Sequence, residues 1–205
     1  MISIIDYGLG NLGSISNMLK VIGEKSFITS DFEKIKNSDG IILPGVGAFD
    51  AGMNKLVESG LDQIIIDEAN NGKIILGICL GMQLLGRKSE EGNKQGLSLI
   101  PFDCKKFVFD DSSLKVPHMG WDIVDVKRNH PIVQNLSKFQ RYYFVHSYYA
   151  VCDNEENILM TCDYGNTFAA AVIKNNIIGV QFHPEKSHDF GLALLSNFVE
   201  LCKEK

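Results

Sequence analysis

Short apolar runs alternate with stretches of helical spacing through the first half of the chain. Residues 1–5, Ser26-Phe27-Ile28-Thr29, Asp39-Gly40-Ile41-Ile42-Leu43 and residues 73–78 are each brief and almost continuously apolar. That is the pattern of strands covered on both faces. Between them, Asn11 to Val21 and residues 51–71 carry apolar positions at helical intervals. Strands alternating with helices predict parallel βαβ units with helices on both sides of the sheet.

The second half changes character. Residues 97–127 and 140–182 hold β-rich runs, among them Arg141-Tyr142-Tyr143-Phe144-Val145 and Phe168-Ala169-Ala170-Ala171-Val172-Ile173. Asn175-Asn176 predicts a hairpin turn into Ile177-Ile178-Gly179-Val180-Gln181-Phe182. From about Gly191 to Cys202, Leu192, Leu195, Phe198, Val199 and Cys202 recur on one helical face. The expectation is a single α/β domain over residues 1–205, with a mostly parallel central sheet and an added antiparallel section.

Composition narrows the function classes. The net charge is −5 and Lys and Arg are scattered, which argues against a nucleic-acid partner. No apolar stretch approaches transmembrane length and the start does not resemble a signal peptide, so cytoplasmic residence without a membrane association is expected. The 5 cysteines form no C-x-x-C pair and have no histidine at ligand spacing. Reduced thiols are therefore expected, with no metal site; no phosphate-binding loop motif occurs, and no organic cofactor is expected.

One cysteine is different. Gly77-Ile78-Cys79-Leu80-Gly81 lies where a buried strand turns into the helical pattern that begins at Met82-Gln83. Gly-x-Cys-x-Gly is the cysteine form of a nucleophile elbow, in which glycines permit a tight turn. A thiol at a helix N-terminus is favoured as thiolate. On its own the pentapeptide also reads as a small buried cysteine in a glycine-rich turn.

A thiolate nucleophile needs a base, and the base an orienting acceptor. Phe182-His183-Pro184-Glu185 supplies both after an apolar strand. If the backbone remains extended, His183 and Glu185 point the same way, and Pro184 restricts His183 to extended conformations. The other histidines fit less well: His118 and His146 lie among aromatic residues of β-rich segments, His130 precedes a proline, and His188 reads as exposed. The loop Pro44-Gly45-Val46-Gly47-Ala48-Phe49 follows another buried strand. Ligand sites in such sheets form at the carboxyl ends of strands, where Gly45 and Gly47 can offer backbone N–H groups to an oxyanion.

In this order, the three pieces resemble the class I (triad-type) glutamine amidotransferases over essentially the whole chain. Gly77 to Gln83 is similar to that family's G-x-C-x-G-x-Q signature and His183-Pro184-Glu185 to its H-P-E. The resemblance implies the family's flavodoxin-like three-layer α/β fold and hydrolysis of the glutamine side-chain amide. It makes Cys79 the nucleophile, His183 the base and Glu185 its orienter. The Leu80 N–H and the loop Gly45, Val46 and Gly47 would hold the oxyanion. Gln83, His146, Ser147 and Tyr148 would line the glutamine pocket, the last two through their backbone.

Asp6-Tyr7-Gly8-Leu9-Gly10-Asn11-Leu12, Leu43 to Phe49, Pro117-His118-Met119-Gly120-Trp121 and Tyr143 to Tyr148 resemble the glutaminase subunits of imidazole glycerol phosphate synthases. One departure is Asp122, where that subfamily commonly has Asn. The resemblance implies a heterodimer with a (β/α)₈-barrel synthase (cyclase) subunit contacted through Asn11, Trp121 and Lys186. Other readings are a related glutaminase feeding a different synthase, such as one amidating a surface sugar, a partner-independent cysteine peptidase or γ-glutamyl hydrolase, and a non-catalytic binding subunit.

Overall fold

The computed structural model describes residues 1–110, 113–137 and 139–204. Strand β1 (Ile2–Ile5) leads to α1 (Leu12–Val21), β2 (Ser26–Thr29), α2 (Phe32–Lys36) and β3 (Gly40–Leu43). Two helices, α3 (Phe49–Ser59) and α4 (Leu61–Asn70), precede β4 (Ile74–Ile78) and the short α5 (Leu80–Leu84). The β-rich part comprises β5 (Lys88–Ser89), β6 (Phe102–Lys106), β7 (His118–Val126), β8 (Gln140–His146), β9 (Tyr148–Cys152), β10 (Ile158–Tyr164), β11 (Asn166–Lys174) and β12 (Ile177–Val180). Helix α6 (His188–Lys203) closes the chain.

The main sheet runs β2-β1-β3-β4-β12-β11-β10-β7-β8. Neighbours from β2 to β12 are parallel, and β11, β10, β7 and β8 continue it antiparallel. β9 leaves this path to pair with β11 and β6, and β5 runs parallel to β6. Both the parallel half and the added antiparallel section follow the reading of the sequence, including the turn at Asn175-Asn176 between β11 and β12.

Alternation within the central strands builds two apolar layers, because successive side chains leave opposite faces of a strand. Ile4, Ile42, Leu76 and Ile178 pack with Ile15 and Leu19 of α1 and with Leu194, Leu195, Phe198 and Val199 of α6. Ile41, Leu43, Ile75 and Ile177 pack on the other side with α3, α4 and α5. Each central strand is buried along its whole length, which explains the unbroken apolar runs.

Three boundaries depart from the sequence reading. The helix expected over 51–71 is two helices, because Gly60 takes φ 70° and turns the chain between them. Helix α2 is absent from that reading: it has 5 residues, too few to show a period, and Asp31 caps it by accepting from the Glu33 and Lys34 N–H groups. The closing helix starts at His188, before its apolar stripe begins. No helix among the described residues is long and apolar enough to cross a membrane.

Candidate active site

The three segments singled out in the sequence lie at the carboxyl ends of adjacent strands β3, β4 and β12. Leu43 lies opposite Gly77 and Ile78 opposite Val180, so Cys79 and Gln181 leave the sheet side by side. The Cys79 N–H donates to the Val180 carbonyl at 2.8 Å, tying the elbow to β12.

Cys79 has φ 54° and ψ −110°, a conformation that costs a non-glycine residue about 1–3 kcal/mol and persists only where its surroundings impose it. It projects the thiol from the tip of the turn directly before α5, and leaves it 7% exposed. Gly81 is required on steric grounds: a Cβ there would overlap the Leu43 carbonyl oxygen. The signature's last glycine thus lets α5 start against the end of β3.

His183 is extended (φ −101°, ψ 97°), but Pro184–Lys186 form a 3₁₀ turn rather than continuing the strand. The turn, not strand alternation, brings Glu185 Oε1 to 2.8 Å from His183 Nδ1. Ser187 locks it by donating to the His183 carbonyl and accepting from the Tyr143 N–H. Both side chains are almost fully buried, at 1% and 2% exposure. With Nδ1–H donating to the carboxylate, Nε2 is left as the reactive nitrogen. His183 Nε2 and Glu185 Oε2 are buried without a hydrogen-bond partner. Burial pulls the His183 pKa down, and the Cys79 sulfur and the Glu185 carboxylate together overcome this, pushing it up to about 10.

A cavity of about 450 Å³ opens beside the thiol, lined by Val46, Gly47, Cys79, Leu80, Gln83, His146, Ser147, Tyr148 and His183 among others. A larger depression of about 590 Å³ around Arg128, His130, Asn154 and Lys174 contains no cysteine. Gly47 has φ 102° and faces the cavity, whereas Gly45 is buried behind the loop and does not line it. The preceding carbonyl, Pro44 O, accepts from the buried Tyr7 hydroxyl at 2.7 Å. Burial, and then the charge of Cys79, raise the Tyr7 pKa, so the phenol remains a donor.

Gln83 Nε2 donates to Tyr148 O at 3.2 Å and to Gln181 Oε1 at 3.0 Å. The Ser147 carbonyl accepts from the Phe107 N–H. Both pocket-lining carbonyls are therefore already engaged within the chain.

His146 belongs to a buried chain of polar contacts. Its Nδ1 lies 2.8 Å from Tyr148 O, its Nε2 3.1 Å from His118 Nδ1, and His118 Nε2 3.3 Å from Asp122 Oδ2. Burial lowers both imidazole pKa values, that of His146 to about 3. Sequence reasoning missed this chain because its central contact, His118 to His146, forms only through the pairing of β7 with β8. It also missed Gln181, Tyr7 and Glu91; Glu91 lines the cavity and accepts from the Phe49 N–H at the start of α3.

Trp121 and Lys186 come together at the outer face of β7 and β8. The Lys186 ammonium lies over the Tyr143 ring, and Trp121 stacks on His188 with Arg141 above it. Asn11 stands at the start of α1, which packs against the Pro184–Lys186 turn. Among the described residues, no group of His, Cys, Asp or Glu side chains is arranged to hold a metal ion.

Known proteins resemble this chain along nearly its whole length. The chain is 48% identical to "Imidazole glycerol phosphate synthase subunit HisH 2" of Pseudomonas aeruginosa over 202 residues, covering 98% of this chain and 100% of that one. It is 50% identical to the protein of the same name from Methanococcus maripaludis, covering 98% and 99%. The solved structure "Crystal structure of glutamine amidotransferase" superposes with a TM-score of 0.78 at 17% identity, over 98% of both chains. "Structure of PurLQS from Thermotoga maritima" follows with a TM-score of 0.75 at 21% identity, over 98% of this chain and 97% of that one. These two show the shared fold. The family model "Glutamine amidotransferase class-I" matches residues 3–201, and the chain belongs to that enzyme family.

Proposed function

We propose that this chain is the glutaminase subunit of an imidazole glycerol phosphate synthase in histidine biosynthesis. It would hydrolyse glutamine and pass the ammonia to a (β/α)₈-barrel synthase subunit that makes imidazole glycerol phosphate and AICAR. The observation that carries the chemistry is the strained Cys79 beside a His183–Glu185 pair at the mouth of one cavity. The pathway rests on full-length relatives with that subunit's name.

His183 Nε2 takes the Cys79 thiol proton, and the sulfur attacks the side-chain carbonyl carbon of glutamine. The Leu80 N–H, directly after the elbow, and the loop at Gly47 receive the oxygen that becomes negative. The intermediate collapses as His183 returns its proton to the amide nitrogen, which leaves as ammonia. The resulting Cys79 thioester is cleaved by water that His183 deprotonates, releasing glutamate. Glu185 holds the imidazole in one tautomer and stabilises the cation formed twice in each cycle.

Met119, Trp121 and Ile123 alternate outward along β7 at 61%, 36% and 51% exposure. With Lys186 and Arg141 nearby, this apolar strip with a cationic edge suits a protein partner. Docking would enclose the ammonia route and control the oxyanion loop. A soluble biosynthetic pair of this kind operates in the cytoplasm.

The test is reconstitution with the barrel subunit. Glutamine turnover should be negligible for the isolated chain and strongly stimulated by the liganded synthase; equal turnover with and without it refutes the gating. Cys79→Ala should abolish glutamine-dependent synthesis and spare the ammonia-dependent reaction. The second reading, a paralogous glutaminase serving another synthase, rests on the numeral 2 in both relatives' names. It is favoured if the barrel subunit neither binds nor stimulates the chain.

A further inference from the structure

Gln181 is the first residue after β12, lies between Val180 and Phe182, and is fully buried. Burying an amide in such a place is unfavourable unless its polar atoms are engaged. Its carbonyl oxygen accepts from Gln83 Nε2 at 3.0 Å, and its amide nitrogen lies 3.8 Å from Cys79 Sγ, within reach of a hydrogen bond to sulfur.

The orientation of both amides follows from one fixed group. The Tyr148 carbonyl only accepts, so the Gln83 side chain must present its NH₂ there, at 3.2 Å. The same NH₂ then faces Gln181, which must answer with its oxygen. That leaves the Gln181 NH₂ facing the sulfur, with no freedom to turn its oxygen toward it. His146 Nδ1 also lies on Tyr148 O, at 2.8 Å, and anchors the far end.

We propose that Gln181 is a catalytic residue: its side-chain N–H donates to the Cys79 sulfur and stabilises the thiolate, in an orientation imposed by Gln83 and the Tyr148 carbonyl. His183 receives the proton, and Gln181 supplies a neutral donor that keeps the sulfur anionic after the proton has left. The two act on the same atom from one segment, as the first and third residues after β12. This deepens the glutaminase reading and rests on Cys79 being its nucleophile.

The experiment uses the full-length chain and iodoacetamide, following alkylation of Cys79 against pH by peptide mass spectrometry, which separates it from the other four cysteines. The thiolate displaces iodide and the thiol does not, so the rate reports the thiolate fraction. Gln181→Met keeps the bulk and removes the donor. The midpoint of its alkylation should lie about one pH unit higher, and well below the wild-type midpoint the rate should fall about tenfold, as expected for losing a hydrogen bond to a charged group. Gln83→Met, which frees the Gln181 amide to rotate, should shift the midpoint the same way by less. The double variant should match Gln181→Met alone, because Gln83 acts through Gln181.

A folded Gln181→Met variant, by circular dichroism and thermal melting, with the wild-type midpoint overturns the proposal. If that variant does not fold, a wild-type midpoint in Gln83→Met overturns it instead. Failure of the underlying reading looks different: wild-type Cys79 would then react no faster than the remaining thiols.

Discussion

Replacing Asp122 with Asn should stabilise this protein at about pH 8 and lose the advantage at about pH 5. The reason is a count of protons along the buried chain from Asp122 to Tyr148. The chain has an acceptor at each end, the Asp122 carboxylate and the Tyr148 carbonyl, with the four nitrogens of His118 and His146 between them. Satisfying all three contacts takes three N–H protons, and two neutral imidazoles carry two. Burial lowers both pKa values, so the rings are neutral above their ordinary range. His146 Nδ1–H then serves Tyr148 and His118 Nδ1–H serves His146, and the His118 Nε2 lone pair faces a carboxylate oxygen at 3.3 Å. Asn offers an N–H at that place and completes the chain without a charge.

The gain is one hydrogen bond to a buried ring, about 1 kcal/mol. It is reduced because the Asp122 side chain is 36% exposed and water screens the mismatch. The full ~1 kcal/mol would raise the melting temperature of a chain of this size by about 2–4 °C, so the discounted gain is a rise of about 1–2 °C. The advantage shrinks as pH falls. Asp122 raises the His118 pKa against the larger effect of burial, so native wild type binds a proton more readily than the variant would. Wild type therefore gains relative stability as pH falls through that titration, by forming the Asp122–His118 ion pair. The groups facing the dyad fit this assignment: Asp122 on β7, His183 acting on His146, and the rings of Phe107, Phe144, Tyr164 and Phe168. Urea denaturation of both proteins across pH measures the difference. Lower stability of Asp122→Asn at about pH 8, or a gap that does not change with pH, refutes the count.

Three further outcomes follow. Glu185→Gln removes a charge that helps raise the His183 pKa to about 10, so the alkaline limb of the stimulated glutaminase profile should move to lower pH; an unmoved limb argues against the pairing. Gly81→Ala forces a Cβ into the Leu43 carbonyl and should cost about 3 kcal/mol or prevent soluble expression, as read by denaturation. Trp121→Ala should weaken binding of the proposed barrel subunit by about 2 kcal/mol in calorimetry while leaving the melting temperature of the free chain within a few degrees, because the ring is a surface group.

The parallel half of the fold was legible because each strand is buried on both faces and so reads as an unbroken apolar run. Helices α3 and α4 merged for the opposite reason: Gly60 changes direction without interrupting the apolar period, since both helices cover the same face of the sheet. Helix α2 is held by its Asp31 cap and by Ile35, and one cap with one buried residue is a weak local signal.

The candidate site divides along the same physical line. Cys79, His183 and the Gly47 loop were visible because each sits where a buried strand ends, and a change of pattern marks that place. The link between His183 and Glu185 was visible for an incomplete reason, since the carboxylate reaches the imidazole through a 3₁₀ turn. Gln181, His118 and Tyr7 carry no comparable mark. A glutamine between Val180 and Phe182 reads locally as the polar end of a strand, and its isolation from water appears only when β12 is laid beside β4. What distinguishes it is an unfavourable burial compensated by partners from α5 and the elbow, 98 and 102 residues away in sequence. Such a residue is found by asking where a buried amide sends its hydrogens, a question that takes coordinates to answer.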